Sequence, residues 1–369
     1  MPISEFDRQQ LRRALELARG SFGLTEPNPR VGCVLGFSDG RICGEGATQA
    51  AGSHHAEVMA LKQARATGLG LTGATAWVSL EPCAHFGRTP PCCDALVEAG
   101  LARCVVALAD PNPLVAGQGL RRLREAGIAV DVLAPDDELA LAAREVNLGF
   151  LSRVERGRPW VRAKVAASAD GRTALPDGQS QWITGEAARA DGHAWRRRAS
   201  AVLTGIGTVL ADNPRLDVRA VPTAHQPLRI ILDPRLRLPL DAAILAAPGS
   251  VLVVAGPGSE ARADTLRRQG VEVWDDGPEA GRADLGKLLQ RLAQRGLNEI
   301  HLEAGATLTG AFHAAGLVDE WLVYLAPVML GPGRPIVEGA ALPGLELARR
   351  GRWAEVQQLG DDLRLRLWA

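Results

Sequence analysis

The sequence predicts an α/β protein of two domains, and three observations carry that expectation. At 369 residues the chain exceeds the size at which a single hydrophobic core is usual. Short apolar runs alternate with stretches of helical periodicity through both halves, the order that gives sheets covered by helices on both faces. A breaker cluster, Gly157-Arg158-Pro159, separates the two series. The domains are therefore set at 1–153 and 158–369.

In the first domain, Leu11, Ala14, Leu15 and Ala18 lie at helical spacing and predict an opening helix. Strands are expected at 31–36, 74–80, 103–109 and 128–133. Helices are expected at 55–67, 92–100 and 117–126, with a longer one from Asp136 to about Arg153. The second domain restarts with a strand at 160–166, and further strands are expected at 201–204, 228–232, 250–255, 299–303 and 321–325. Helical patterns at 186–198, 259–269, 283–295 and 307–315 intervene. No internal repeat or low-complexity tract appears.

Composition narrows the function classes. Hydrophobic residues make up 46% of the chain, enough for ordinary globular packing. Lysine plus arginine equals aspartate plus glutamate at 42 each, which argues against a nucleic-acid partner, since a basic excess is then usual. The cations are nearly all arginine, with lysine only at Lys62, Lys164 and Lys287. No apolar run reaches the eighteen or so residues that span a bilayer, and the acid-bearing N-terminus lacks a signal core, so no membrane partner is expected. The six cysteines form no disulfide framework; a metal role in the reducing cytoplasm suits them better. Nothing in the sequence opposes a homo-oligomer.

The chemistry is concentrated in His55-Ala56-Glu57, Glu81-Pro82-Cys83 and Cys92. One histidine and two cysteines supply three zinc ligands and leave the fourth tetrahedral position open, as a catalytic site requires. The His-x-Glu…Pro-Cys order is the signature of zinc-dependent nucleobase deaminases, in which the glutamate moves protons and does not coordinate. The compact form of that motif has Pro-Cys-x-x-Cys, whereas residues 84–91 separate the cysteines here. By spacing alone Cys93 competes with Cys92, and His54 with His55, although only His55 gives His-x-Glu. In the second half, Gly205-Ile206-Gly207-Thr208 is a weak glycine fragment. The stretch 299–308 reads as strand, tight turn and helix start, with backbone amides available to a phosphate.

Taken together, 55–58, 80–83, 85–96, Asn28-Pro29-Arg30-Val31-Gly32 and Asp110-Pro111-Asn112-Pro113 resemble the deaminase half of the bifunctional riboflavin-biosynthesis deaminase–reductases. Residues 164–173, 180–184, 208–214 and Glu303-Ala304-Gly305 resemble the reductase half, so the resemblance runs almost end to end. It implies a cytidine-deaminase-like α/β/α domain followed by a dihydrofolate-reductase-like α/β domain. It implies zinc on His55, Cys83 and Cys92, Glu57 as the catalytic acid–base, a pocket shaped by the 84–91 insertion, and Asn28, with Asp110 and Asn112, against a phosphoribosylated pyrimidine. In the reductase it implies NADPH held by Ala166, Trp182, Thr208, Asp212 and Gly305, Ala306, Thr307, Leu308, Thr309, Gly310 and Ala311. Substrate contacts are implied for Lys164, Ser180, Arg196, Leu216, Arg219 and Glu303.

Two of these residues also have plainer readings. Arg196 sits in Arg196-Arg197-Arg198, which alone suggests a solvated helix face, and Asn28 adjoins a proline as a turn residue would. One departure concerns the cofactor: Pro234 stands after Asp233 where a hydroxyl residue is common in the family, leaving Arg235 or Arg237 to meet a ribose phosphate. A nucleic-acid base deaminase with an accessory domain is the rival enzyme reading, disfavoured by the zero net charge. A zinc-stabilised nucleotide-binding module is the non-enzymatic one, and a fourth protein ligand to the metal would mark it.

Overall fold

A computed structural model describes residues 2–84, 90–112, 116–258, 260–274 and 284–369. The chain divides into two compact units, Met1–Gly157 and Arg158–Ala369. Among the described residues no helix is long and apolar enough to cross a membrane.

The first unit holds a five-stranded sheet of β1 (Gly32–Gly36), β2 (Ile42–Ala47), β3 (Thr75–Val78), β4 (Arg103–Val106) and β5 (Ala129–Val132) in the order β2-β1-β3-β4-β5. β1 is antiparallel to β2 and β3, whereas β3, β4 and β5 run parallel. Its helices are α1 (Glu5–Arg19), α2 (Ala56–Ala66), α3 (Cys92–Glu98), α4 (Gln118–Glu125), α5 (Glu138–Val146) and α6 (Leu148–Arg156). α1 and α2 lie on opposite faces: a Cβ at Gly32 would strike the Ala14 carbonyl, while one at Gly44 or Gly46 would strike backbone of α2.

Two sequence expectations fail here. β2 was not anticipated, because glycine weakens strands. Gly44 and Gly46 are present so that α2 can approach the sheet; a Cβ on Gly46 would sit 2.2 Å from the Ala56 carbonyl oxygen. The single helix expected from Asp136 is two helices broken at Asn147. The buried Asn147 side chain accepts the Arg30 amide at 2.7 Å and donates to the Arg30 carbonyl at 3.0 Å, pairing with the strand-like 30–31 segment as backbone would.

The second unit contains β6 (Trp160–Ser168), β7 (Arg172–Ala174), β8 (Ala201–Gly205), β9 (Leu228–Leu232), β10 (Val251–Val254), β11 (Glu272–Trp274), β12 (Glu299–Leu302), β13 (Glu320–Ala326), β14 (Arg334–Pro335), β15 (Arg352–Leu359) and β16 (Asp362–Trp368). Nine strands form one sheet ordered β11-β10-β9-β8-β12-β6-β13-β16-β15, parallel from β11 to β13 and antiparallel in the final hairpin. The helices are α7 (Glu186–Arg198), α8 (Ile206–Asp212), α9 (Ala243–Ala246), α10 (Glu260–Arg268), α11 (Leu285–Gln294) and α12 (Ala306–Ala314). Ser259 and residue 283, the first residues of two expected helices, lie outside the described residues.

No strand is expected after 321–325, yet β15 and β16 form a hairpin there, with the arginines of its second strand, Arg364 and Arg366, pointing inward. They join a buried ionic layer under α7. Arg162, fully buried on β6, donates to Glu320 at 2.9 Å and Glu299 at 3.0 Å. Arg366 donates to Glu320, Arg198 to Glu299, and Arg364 to Asp191 and Glu355. The Trp195 ring lies within 4.5–5.6 Å of the guanidinium carbons of Arg162, Arg198, Arg364 and Arg366. Burial alone would raise the Glu320 carboxyl, but Arg162 and then Arg366 bring it down to about 2.

Removing one member of such a layer leaves an uncompensated buried charge, which typically costs about 3–5 kcal/mol. Glu320→Ala is therefore expected to lower the thermal transition of the second domain sharply in calorimetry. A shift of a degree or two would show that the layer is relieved by water.

Candidate functional site

His55 is the N-cap of α2, Cys83 follows the β3 strand, and Cys92 opens α3 directly after Pro91. These elements bring three ligand atoms within 4.8 Å of one another. His55 Nδ1 lies 3.6 Å from Cys83 Sγ and 3.3 Å from Cys92 Sγ. A tetrahedral ion with bonds of about 2.0–2.3 Å has ligand–ligand edges of roughly 3.5–3.8 Å, so the set fits zinc. The Cys92 amide donates to Cys83 Sγ at 3.3 Å. Contact with Cys92, and after it His55, pulls the Cys83 thiol down to about 4 despite burial. The competing residues point elsewhere: Cys93 Sγ donates to the Pro82 carbonyl at 3.2 Å within the core, and His54 contacts Lys62 on an exposed surface.

His55 and Cys83 open onto a cavity of about 350 Å³ lined by Asn28, Thr48, Glu57, Asp110, Asn112, Phe150 and Arg153 among others. Glu57, in the first turn of α2, is 3% exposed. Burial, and then the Cys83 charge, push its carboxyl up to about 7. Asn28 lies in a turn closed by Thr25. Asp110 Oδ1 accepts the Asn112 amide at 2.8 Å. Residues 85–89, the centre of the insertion expected to shape this pocket, lie outside the described residues, as does Pro113.

Glu81 was read only as part of a motif, and the structure shows its work. Its two oxygens accept the amides of Asp110, Gly117, Gly119 and Leu120 at 2.9–3.3 Å. One buried carboxylate thus ties the segment leading to Cys83 to the loop carrying Asp110 and to the start of α4. A lone Glu before Pro-Cys carries no signal of four amide partners far along the chain.

In the second unit, Arg196 on α7 donates through Nε and Nη2 to both oxygens of Glu303, just past β12, and through Nη1 to the Asp217 carbonyl. Lys164 Nζ is 4.0 Å from Glu303 Oε2. Arg196, then Lys164, hold the Glu303 carboxyl well below the usual range although burial opposes them. Burial lowers Lys164, with Glu303 resisting. Arg219 is half exposed and pairs with the buried Asp217 at 2.7 Å, beside Leu216 in the left-handed region (φ 52°). The reading of 196–198 as a solvated face is corrected: Arg196 reaches Glu303, Arg197 the Pro222 carbonyl and Arg198 Glu299.

Gly305 caps α12 and its amide donates to Thr208 Oγ1 at 3.3 Å. A Cβ at Gly207 or Gly305 would meet open space, so the surface formed with Thr208, Ala306, Thr307 and Leu308 is open. Thr309 and Gly310 are buried beneath it, Gly310 against the Glu338 carbonyl, and are not brought to that surface. Trp182 is exposed with Arg189 over its ring; Asp212 is exposed at the end of α8; Ser180 and Ala166 are half-buried.

Two histidines here escaped the sequence reading. His193 Nδ1 accepts the Arg219 amide and is held neutral, down to about 4, by burial and then by Arg196 and Arg219. His301 is fully buried with Nε2 3.5 Å from Glu303 Oε1, and burial pushes it down to about 3.

Comparison with known proteins agrees with both halves. Residues 159–365 match the family model "RibD C-terminal domain", and 4–108 match "Cytidine and deoxycytidylate deaminase zinc-binding region". The chain is 42% identical to the riboflavin biosynthesis protein RibD of Escherichia coli, covering 98% of this chain and 99% of that one. It is 40% identical to that of Aquifex aeolicus over 98% of each. Among solved structures, Acinetobacter baumannii RibD superposes with a TM-score of 0.87 at 44% identity over 98% of each chain. A Thermotoga maritima protein described as a diaminohydroxyphosphoribosylaminopyrimidine deaminase/5-amino-6-(5-phosphoribosylamino)uracil reductase gives 0.86 at 30% identity over 99% of each. This chain belongs to the RibD family of bifunctional deaminase–reductases of riboflavin biosynthesis.

Proposed function

We propose that the first domain hydrolytically deaminates 2,5-diamino-6-(5-phosphoribosylamino)pyrimidin-4-one. The second then reduces the ribosyl group of 5-amino-6-(5-phosphoribosylamino)uracil to ribityl with NADPH. The observation that carries the deaminase reading is the buried Glu57 carboxyl beside the His55–Cys83–Cys92 set, at the floor of a cavity. The charge balance of the chain favours small anionic pyrimidines over nucleic acid as partners, and the site chemistry suits a cytoplasmic enzyme.

His55, Cys83 and Cys92 would hold the zinc, whose Lewis acidity would make hydroxide available near neutrality. Glu57 takes the proton from the attacking water and delivers it to the ring nitrogen. Glu57 then moves the proton of the added hydroxyl to the departing amino group, so that C–N cleavage releases ammonia and leaves a carbonyl. Glu81 is occupied by four amides, which leaves Glu57 the proton carrier in this cavity. Asn28 and the Asp110–Asn112 turn hold the pyrimidine against it.

In the second domain a nicotinamide cofactor supplies hydride to C1′ of the sugar. The open surface over Gly207, Thr208 and the start of α12 suits its phosphates, with Trp182, Asp212, Ala166 and Ala311 around it. Exposed Arg235 and Arg237 stand beside Pro234 to meet the ribose phosphate that distinguishes NADPH. Glu303 holds Lys164 and Arg196 in place against the sugar, with Ser180 and Leu216 completing the contact. Arg196 spends Nε and Nη2 on Glu303, whereas Arg219 is half exposed and meets Asp217 through Nη1, so Arg219 is the arginine placed to carry the substrate phosphate. With purified protein, the synthetic diaminopyrimidine should lose ammonia without NADPH, and its product should gain two hydrogens only with NADPH, as read by product mass. Gain of hydrogens without prior loss of ammonia would overturn the order.

Cys92→Ser is expected to lower zinc content and deamination, and Cys93→Ser to affect either far less. Equal metal loss in both, by atomic absorption, would place Cys93 in the ligand set. Glu57→Gln should retain the metal but lose about 10²–10⁴-fold in deamination, while reduction of pre-formed uracil substrate persists; normal deamination would remove Glu57 from the mechanism. Arg219→Ala should raise the KM for the phosphorylated uracil roughly ten- to a hundred-fold, with NADPH affinity unchanged. If Arg197→Ala, which removes only a contact to Pro222, does equal harm, the phosphate lies elsewhere.

A further inference from the structure

Tyr324 is the only tyrosine of the chain, and it lies buried beside the reductase residues. β13 pairs with β6 so that Leu322 stands opposite Lys164 and Tyr324 opposite Ala166. Residues two apart on a strand share a face, so Tyr324 and Lys164 are diagonal neighbours on one side of the sheet. The Lys164 ammonium is 5.8 Å from the centre of the Tyr324 ring, within reach of a cation–π contact. Its anionic neighbour holds it loosely. Glu303 gives both oxygens to Arg196 and lies 4.0 Å from Lys164 Nζ, and Lys164 makes no hydrogen bond among the described residues. The ring, by contrast, is fixed: its hydroxyl donates to Asp191 at 2.7 Å, and Asp191 accepts from Arg364 at 2.7 Å.

We infer that Tyr324 is a positioning residue of the reductase, whose ring, together with Glu303, fixes the Lys164 ammonium against the sugar. The inference rests on the reductase reading above. A lysine head rides on a flexible four-carbon stem, and a single contact at 4.0 Å leaves it several positions. A ring face at a set distance removes most of them. The phenol's bond to a carboxylate leaves the ring richer in electrons, which strengthens its hold on a cation. Burial acts against the charge of Lys164, and Glu303 offsets it only in part. The ring adds attraction without placing a second anion beside a phosphorylated substrate. Through Asp191 and Arg364 the ring also belongs to the buried ionic layer, so that layer reaches Lys164 by one aromatic contact.

The alternative is that Tyr324 only fills the core, and two variants separate the roles. Tyr324→Phe and Tyr324→Leu both lose the Asp191 bond, so what differs between them belongs to the ring. Reduction of pre-formed uracil substrate is measured across pH, with deamination and the thermal transition as checks on folding. Tyr324→Leu should lower kcat roughly three- to thirty-fold with the Kd for NADPH unchanged, while Tyr324→Phe stays within about threefold of wild type. The charges facing Lys164 are Glu303 beyond β12 and Arg196 on α7, with the neutral His301 on β12 nearby, and both ions persist at high pH. Loss of the ring therefore makes Lys164 easier to deprotonate. The alkaline limb of the Tyr324→Leu profile should move down by about half to one pH unit. Burial and then Asp191 push the Tyr324 phenol far up, so it does not itself titrate there. Tyrosine labelled with ¹³C at Cζ gives a single resonance, which should follow the alkaline limb in wild type and not in Lys164→Met. Equal kcat and pH profiles in Tyr324→Phe and Tyr324→Leu, or a resonance indifferent to Lys164, overturn the inference. Should Tyr324→Leu fail to fold, the resonance decides alone. Wild-type protein that does not reduce the uracil compound with NADPH overturns the reductase reading itself, and the inference with it.

Discussion

In the second domain the guanidinium of Arg162 lies out of water between Glu299 and Glu320, and the position of α7 follows from that confinement. Two carboxylates around one arginine leave an excess of negative charge, which Arg198 and Arg366 meet from α7 and β16. Asp191 and Arg364 close the layer at its far side, where Tyr324 donates to Asp191 at 2.7 Å. Such a layer does little for net stability compared with apolar packing, but it tolerates few alternative arrangements. Trp195 fills its centre, and the next residue of the helix, Arg196, is thereby delivered to Glu303. The first domain solves the same problem with dipoles: Glu81 is buried and is met by four amides.

The two domains prepare their reacting groups in opposite ways. Glu57 is surrounded by burial and thiolate charge, both of which favour its protonated form, so the group suits proton exchange near neutrality. Glu303 is surrounded by cations and stays ionised, so it suits holding and aligning. Carboxylates of like chemistry are thus directed to different work by their neighbours.

The metal set was legible because its ligands are chemically rare and arranged in order: His55, Glu57, Cys83 and Cys92 announce themselves within forty residues. Spacing could not choose between Cys92 and Cys93. The start of α3 does so, since successive helical residues point about 100° apart and only the first faces His55. Strands of the parallel sheets were legible as apolar runs. β2 and the β15–β16 hairpin were not, because glycines and arginines there answer to partners distant in sequence. The same holds for His193, His301 and Glu81, whose surroundings are set entirely by tertiary contacts. The helix break at Asn147 was hidden because Asn is unremarkable in a helix until its side chain finds a strand.

Gly44 and Gly46 contain no ligand atom, yet His55 caps the helix that rests on them. A methyl group at either position would meet α2 backbone at 2.2 Å, so the helix would have to shift, and the imidazole it carries would shift with it relative to both sulfurs. Metal affinity in this enzyme is therefore partly encoded in a neighbouring strand that never touches the ion. A screen for zinc retention would report damage there as readily as at the cysteines, and a search for metal-binding determinants restricted to donor side chains would pass it by.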